Sequence, residues 1–406
     1  MTAQQHPAPL TGLRVLDLGQ FIAIPFCTLW LAALGAEIIV VESRRRMTSR
    51  TAPPFAEGFK SDPNASGYFN LLYGGKKSCT VDMTTAAGRD LVRQLATKVD
   101  VVVDNFSTGV LEKLGLGYAA LSVLNPSIIM VSNGAFGRSG PMKNARGLHS
   151  AVNLFSGVAD VTGYDNGEPR LLGGCIPDPL SGAYSHFALL AAIHHRNRTG
   201  EGQFVDVAMY EAMLSFIPEA VIDFTLNGKE PERIGNRDSM QAPHGIYRCR
   251  SDDTWIAVSV ATDADWNAFK KLVGNAEWHA PELATTEGRI AHVAKVDQLV
   301  EEWTRTTDVQ DCFKRLQAAG ITAGPVLRAD QLLENEQFND RGFVVETDHP
   351  VVGSRRQFGL PWRFDNLVVE YRPAPMLGEH TRAILEELLG IDDAAYAKLV
   401  SDGVLA

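Results

Sequence analysis

The chain has 406 residues, 45% apolar and 21% charged, which is long enough for two domains and too apolar for general disorder. A formal charge of −10 and a pI near 5.5 speak against a nucleic-acid protein, because phosphate binding needs a basic face. The five cysteines, Cys27, Cys79, Cys175, Cys249 and Cys312, are scattered and never form a CxxC pair, so neither a disulfide framework nor a zinc site is suggested and a reducing cytoplasm fits.

The opening MTAQQHPAPL lacks a basic region followed by an apolar core, so it does not read as a secretory signal, and disorder is expected only there. Residues 14–18 (RVLDL) read as a strand. Pro25 suits the first turn of a helix that runs to Leu34 and stops at Gly35, and EIIVVE at 37–42 is a second strand. The uncharged stretch 21–36 is interrupted by Pro25 and is shorter than the roughly 20 residues a bilayer span requires. Strand, helix and strand at this spacing imply a parallel, right-handed crossover unit. The turn after the first strand, LGQFIAIPF, lacks the clustered glycines of a dinucleotide fingerprint, which disfavours a nicotinamide or flavin cofactor.

The alternation continues with a helix at 86–96, a strand at 101–105, a helix at 118–124, a strand at 128–132, a helix at 183–195 and a strand at 203–208. From Gly228 the polar, Gly- and Pro-rich segment GKEPERIGNRDSMQAPHG reads as a linker. A hairpin of 246–250 and 255–260 follows, then helices at 263–273 and 296–304, and a closing helix at 381–389. The fold class is α/β, with a smaller inserted domain at 229–325 between 1–228 and 326–406.

Chemistry concentrates in LLGGCIPDPLSG, residues 171–182, where Asp178 stands among Gly, Pro and small apolar residues ahead of a helix pattern. Such a carboxylate can be partly desolvated near a helix N-terminus, although a cap or turn role is the more ordinary reading of one aspartate. His194 and His195 are adjacent, not four apart, and read as surface residues rather than metal ligands. Arg237 and Arg248 are candidate partners for a second carboxylate, pointing mildly to a dicarboxylic acid substrate.

Several ordered segments resemble the family III CoA-transferases: PLTGLRVLDLGQFIAIPF with LGAEIIVVE, YGGKKSCTVDM, VVVDNFSTGVLEKLGLGY, NGAFGRSGP, the Asp178 segment, RNRTGEGQFVDVAM and APMLGEHT. The resemblance implies a Rossmann-like large domain built from both chain ends, a small inserted α+β domain and an interlocked homodimer. It implies acyl-CoA and a small carboxylic acid as substrates, no prosthetic group and no metal. It places the nucleophile on Asp178, which would form an aspartyl anhydride and then an aspartyl-CoA thioester. It places CoA contacts on Phe21, Ile22, Ala23, Val81, Asp82, Met83, Thr84, Asn105, Phe106, Lys113, Leu114, Arg146, Gly147, Leu148 and His149. Within these, Phe21, Ile22 and Leu114 suit adenine, and Lys113 and Arg146 suit phosphates. Gly173, Gly174 and Gly182 are candidate oxyanion donors.

Departures from the family pattern occur at Ser43, where an arginine is frequent, and at Thr84; Arg44, Arg45 or Arg46 are candidate substitutes. Two alternatives stay open. One is an α-methylacyl-CoA racemase, which pairs an aspartate with a histidine, but Leu148 stands where that histidine belongs and His149 is one place off. The other is a noncatalytic subunit of a two-chain transferase. His244 in QAPHGIY lies in a segment that resembles the family's domain-junction loop, as a turn residue or facing the acyl group.

Overall fold

Six short strands of the first half of the chain are mostly Val, Ile and Leu, the composition of strands buried on both faces. In the computed structural model, which describes residues 7–406, they form one wholly parallel sheet: β1 (Arg14–Asp17), β2 (Glu37–Glu42), β3 (Lys77–Thr80), β4 (Val101–Asp104), β5 (Ile129–Gly134) and β6 (Gln203–Ala208). Their order is β3-β2-β1-β4-β5-β6, so the direction of winding reverses between β1 and β4. Alternate residues feed two cores. Leu16, Ile39, Val41 and Val102 face one, while Val15, Ile38, Val40 and Val103 face the other. The expectation for the extreme N-terminus falls largely on residues 1–6 and lies outside the described residues.

The stretch 21–36 becomes a loop, the helix Ala23–Ala33 and a turn at Gly35 (φ 95°). Among the described residues no helix is long and apolar enough to cross a membrane. Two differences from the sequence reading matter for the site. β3 is an additional strand, polar enough (KSCT) to escape a hydrophobic-pattern search. The helix expected at 183–195 runs instead from Pro177 to Thr199. Pro177 and Pro179 look like turn residues, yet a helix's first turn needs no N–H from them. Asp178 therefore sits inside a helix's first turn.

Two compact units result. The first combines the chain up to Ala159 with Leu171–Gly228 and Glu336–Ala406; the second combines Asp160–Arg170 with Lys229–Asn335. The second unit thus extends past 325 and borrows an earlier segment, which Arg233 ties down through a 3.0 Å ion pair with Asp160. It contains an antiparallel sheet of β7 (His244–Arg248), β8 (Trp255–Ser259) and β9 (Thr322–Pro325), in the order β7-β8-β9. Helices Asp263–Val273, Val293–Thr304 and Val309–Ala318 pack on that sheet around Trp266, Phe269 and Trp278. The first unit closes with the hairpin β10 (Val344–His349) and β11 (Gly353–Phe358) and the helix Thr381–Leu389, whose first residue bonds Thr80 at the end of β3.

The Ala23–Ala33 helix is fixed from beneath by Lys76, whose buried ammonium donates to Thr28 Oγ1 (2.7 Å) and the Pro25 carbonyl (3.0 Å) and faces Asp17 at 3.4 Å. From its side it meets the Pro177–Thr199 helix at Gly182. A Cβ there would lie 2.5 Å from the Ala23 carbonyl oxygen and 3.2 Å from Phe26 Cβ. We expect Gly182→Ala to cost about 1–3 kcal/mol of stability by urea unfolding, because the helices must separate to admit the methyl. Unchanged stability would show that the crossing has slack.

Candidate functional site

Ligands of open α/β sheets bind beyond the carboxyl ends of the strands, where the winding reverses. At that edge β1 continues into Leu18–Ile22 and β4 into Asn105 and Phe106. Gly19 makes the first turn possible: a Cβ on it would lie 2.3 Å from Ile24 Cγ2, and its N–H donates to Asp17 at 2.8 Å. Phe21 then adopts φ 60°, uncommon for a bulky residue, with its ring half exposed. Three contacts hold this loop. The Phe21 N–H donates to Ser49 Oγ (2.9 Å), the Gln20 N–H donates to Asn105 Oδ1 (2.8 Å), and Asn105 Nδ2 donates back to the Gln20 carbonyl (2.8 Å). Asn105, expected to bond the ligand, thus uses its amide to position the Phe21 loop.

The loop delivers Ala23 to the start of its helix, and the Ala23 N–H donates to the Asp178 carboxylate. Asp178 also sits at the positive end of its own helix and accepts from its own N–H. Burial lifts the Asp178 carboxyl to about 6, although His149 nearby and these two N–H groups pull it down. Desolvation therefore outweighs two helix N-termini and a neighbouring histidine. The result is a carboxylate that is ionised at neutral pH and more basic than an ordinary aspartate.

Two side chains beside Asp178 were not anticipated. Tyr68 donates its hydroxyl to Cys175, and both feel the Asp178 charge; burial, then Asp178, raises the Cys175 thiol. Cys175 lies three residues ahead of Asp178, but only the fold brings in Tyr68, from the helix Gly67–Leu72. Of the oxyanion candidates, Gly182 lies inside the helix and serves packing, while Gly173 and Gly174 are exposed on the preceding turn.

The remaining candidates separate by environment. Val81 and Asp82 are buried at the end of β3, and Asp82 is held by Arg45 at 2.9 Å and by the Thr84 hydroxyl at 2.6 Å. Met83, Phe106 and Leu114 pack against the core on one face of the sheet and Ile22 against the core on the other. Lys113 and Arg146 are exposed and without ion pairs among the described residues, as a phosphate site requires. Gly147 admits no side chain, since a Cβ would meet Ala135 Cβ at 2.7 Å and the Phe136 ring at 2.9 Å. That tight turn leads to Leu148, which is exposed, and to His149, the first residue of the helix His149–Phe155. The histidine whose charge reaches Asp178 is therefore His149, in spite of its one-place offset.

Around Ser43, Arg45 pairs with Asp82, Arg44 reaches the Leu377 carbonyl, and Ser43 Oγ donates to the carbonyl of the final residue, Ala406. Arg46 has no ion pair among the described residues. In the second unit Arg237 is bound by Asp297 (3.0 Å) and Arg248 by Asp252 (2.6 Å), which weakens the reading of these arginines as free carboxylate receptors. His244 opens β7 opposite Ser259 rather than standing in a turn, and its Nδ1 meets the Asn236 carbonyl at 2.8 Å. His194 and His195 are exposed, and no group of potential metal ligands occurs among the described residues.

Comparison with known proteins places this geometry in a lineage. The family model described as CoA-transferase family III matches residues 10–381. Succinyl-CoA–D-citramalate CoA-transferase of Chloroflexus aurantiacus is 32% identical over 100% of both chains. Succinate–glutarate CoA-transferase of Agrobacterium fabrum is 30% identical over 95% of this chain and 97% of its own. The crystal structure of a CAIB/BAIF family protein from Brucella suis matches with a TM-score of 0.85 at 31% identity, over 94% of this chain and 100% of the other. The family-model match over residues 10–381 and relatives above 30% identity with near-complete coverage lead to one conclusion: the chain belongs to the family III CoA-transferases.

Proposed function

We propose that the chain moves CoA from a dicarboxylic acyl-CoA of the succinyl-CoA type to a second small carboxylic acid, with Asp178 as the nucleophile. The observation that carries this reading is the Asp178 carboxylate, desolvated yet anchored on the Ala23 N–H. The substrates named for the similar enzymes, succinyl-CoA with D-citramalate and succinate with glutarate, support dicarboxylic acids.

The Asp178 carboxylate attacks the donor thioester carbonyl, the C–S bond breaks, and CoA leaves as thiolate with a mixed anhydride behind it. The thiolate then attacks the aspartyl carbonyl and releases the donor acid, giving an aspartyl-CoA thioester. The acceptor carboxylate attacks this thioester, forms a second anhydride and frees the thiolate again. Thiolate attack on the acceptor acyl carbon yields the new thioester and restores Asp178. Each addition creates an oxyanion that positioned N–H donors stabilise. Lys113 and Arg146 serve the CoA phosphates in this scheme, and the Phe21 loop bounds the thioester end. A cytoplasmic homodimer, interlocked as in the family, accords with exposed apolar side chains at Leu148, Leu154, Phe155, Phe187, Phe216 and Phe224.

One observation favours a second reading. The His149 charge felt at Asp178 supplies the histidine–aspartate pair that an α-methylacyl-CoA racemase uses. Deuterium incorporation at the α-carbon without an acceptor acid would support that chemistry, whereas a second thioester formed only with acceptor supports transfer.

Three outcomes test the transferase. Asp178→Asn should lower kcat by at least about 10³-fold, and hydroxylamine trapping of enzyme incubated with succinyl-CoA should modify Asp178; full activity or an unmodified Asp178 overturns the scheme. Because the ionised form reacts, kcat/KM should fall as pH drops through about 6, and His149→Gln should move this limb upward by removing the neighbour that lowers the Asp178 carboxyl. The folded carboxyl, near 6, titrates above its unfolded value of 3.8, so its contribution to stability is complete below 3.8 and is lost as pH rises through 6. Asp178→Asn should therefore stabilise the ligand-free protein above that range, by on the order of 2 kcal/mol in urea unfolding.

A further inference from the structure

The sheet face that carries the Pro177–Thr199 helix is apolar along β5 until its carboxyl edge. Ile129, Val131 and Asn133 alternate onto that face. Ile129 and Val131 join Leu189 and Ile193 of the helix in one apolar cluster. Asn133, 1% exposed, instead meets Ser185 of the helix, which is 0% exposed. Asn133 Nδ2 donates to Ser185 Oγ (3.0 Å), the Ser185 hydroxyl donates to the Ser181 carbonyl (2.8 Å), and the Ser181 hydroxyl donates to the Asp178 carbonyl (3.1 Å). A line of three hydrogen bonds therefore runs from the sheet to the backbone of Asp178. Ser185 gives its one proton to Ser181 and can only accept from Asn133, which fixes the orientation of the amide.

The other end of that amide, Asn133 Oδ1, is buried without a partner among the described residues. A buried acceptor left unmade costs about 1–3 kcal/mol, at least as much as one hydrogen bond contributes, so an apolar pair here would hold the helix as firmly. Position along the helix axis is another matter. Apolar contact is non-directional and tolerates sliding, whereas a hydrogen bond between one amide and one hydroxyl has a single register.

We propose that Asn133 is a positioning residue for the transfer reaction: through Ser185 it sets the axial register of the Pro177–Thr199 helix on the sheet and so places the Asp178 carboxylate against the Ala23 N–H. The proposal rests on Asp178 as the reacting carboxylate. Gly182 lies on the same stretch of helix, between Ser181 and Ser185, and the two devices are complementary. Gly182 lets the Ala23–Ala33 helix come close, and the Asn133–Ser185 bond selects where along the Pro177–Thr199 helix the approach occurs. One residue advances a helix by about 1.5 Å, so a slip of even part of that step takes Asp178 out of hydrogen-bond range of Ala23.

The test uses the full-length protein with Ser185→Ala and, separately, Asn133→Leu, which keeps the volume and removes both polar atoms. In each, kcat for CoA transfer from succinyl-CoA should fall about tenfold or more with KM for succinyl-CoA little changed, because both side chains are buried and act through Asp178. Asn133→Leu should at the same time equal or exceed the wild type in urea unfolding, a combination that a purely structural contact does not give. The Asp178 titration is followed in ligand-free protein by NMR of ¹³C-labelled aspartate carboxyls, assigned with Asp178→Asn. It should move to lower pH in both variants, since burial is the larger influence on that carboxyl and a displaced helix start admits water. Folded variants with wild-type kcat and wild-type Asp178 titration overturn the proposal, and so does failure of both variants to fold, which would make the contact structural. The titration needs no substrate, so it tests the register bond by itself even if Asp178→Asn retains activity and the nucleophile reading falls.

Discussion

Everything at the candidate site depends on how closely the Ala23–Ala33 and Pro177–Thr199 helices approach at Gly182. With no side chain there, the Ala23 carbonyl occupies the space a Cβ would take, and the Ala23 N–H at the other end of that residue's peptide frame reaches Asp178. The crossing turns an ordinary first-turn aspartate into one that shares two helix N-termini. Those termini and His149 would by themselves produce a weak base. Burial acts against them and prevails, so the same contact that anchors the carboxylate also removes its water.

Support for the crossing comes from below and from the side. Lys76 ties the Ala23–Ala33 helix to Asp17 on β1, and its own ammonium is drawn down to about 8 by burial, with Asp17 opposing. Arg50, also buried, holds Glu42 with two bonds of 2.6 and 2.9 Å, lies 3.6 Å over the Phe69 ring and donates to the Pro375 carbonyl. It joins the end of β2 to a segment more than three hundred residues later. Ser49, its neighbour, accepts from both Phe21 and Tyr73. The loop that a dinucleotide enzyme would build from three glycines is here built from one, Gly19, and from a strained Phe21 held by polar contacts. The half-exposed ring of Phe21 occupies a position where a pyrophosphate-binding turn would present bare backbone.

The sheet was legible where chemistry and burial coincide. β1, β2, β4, β5 and β6 are apolar runs between turn residues, and their parallel pairing follows from the intervening helices. β3 was hidden because Lys77 and Ser78 find partners in Glu37 and Glu42 across the sheet, so polar side chains serve where apolar ones were sought. The start of the Pro177–Thr199 helix was hidden by its prolines. Asp178 could be singled out from its neighbours and from the ordered motifs, but its partners could not. Ala23, Tyr68 and His149 come from three separate segments, and no periodicity links them. Asn105, expected to bond the ligand, also bonds the Gln20 peptide with its amide, a partner that no sequence pattern announces. Arg237 and Arg248, read as candidate carboxylate partners, pair with Asp297 and Asp252, aspartates that charge alone does not reveal.

The Asp178 environment also bears on which chemistry the site favours. A carboxylate near 6 is basic enough to accept an α-proton and nucleophilic enough to attack a thioester, so its basicity alone does not choose between them. Geometry separates the two demands. Proton transfer needs a second base on the opposite face of a planar enolate, whereas acyl transfer needs the carboxylate alone within bonding distance of the carbonyl carbon. His149 lies where its charge lowers the Asp178 carboxyl and so favours the carboxylate. In the proposed transfer, a neighbour that stabilises the carboxylate would suit a nucleophile that must be regenerated as a leaving group in each turnover.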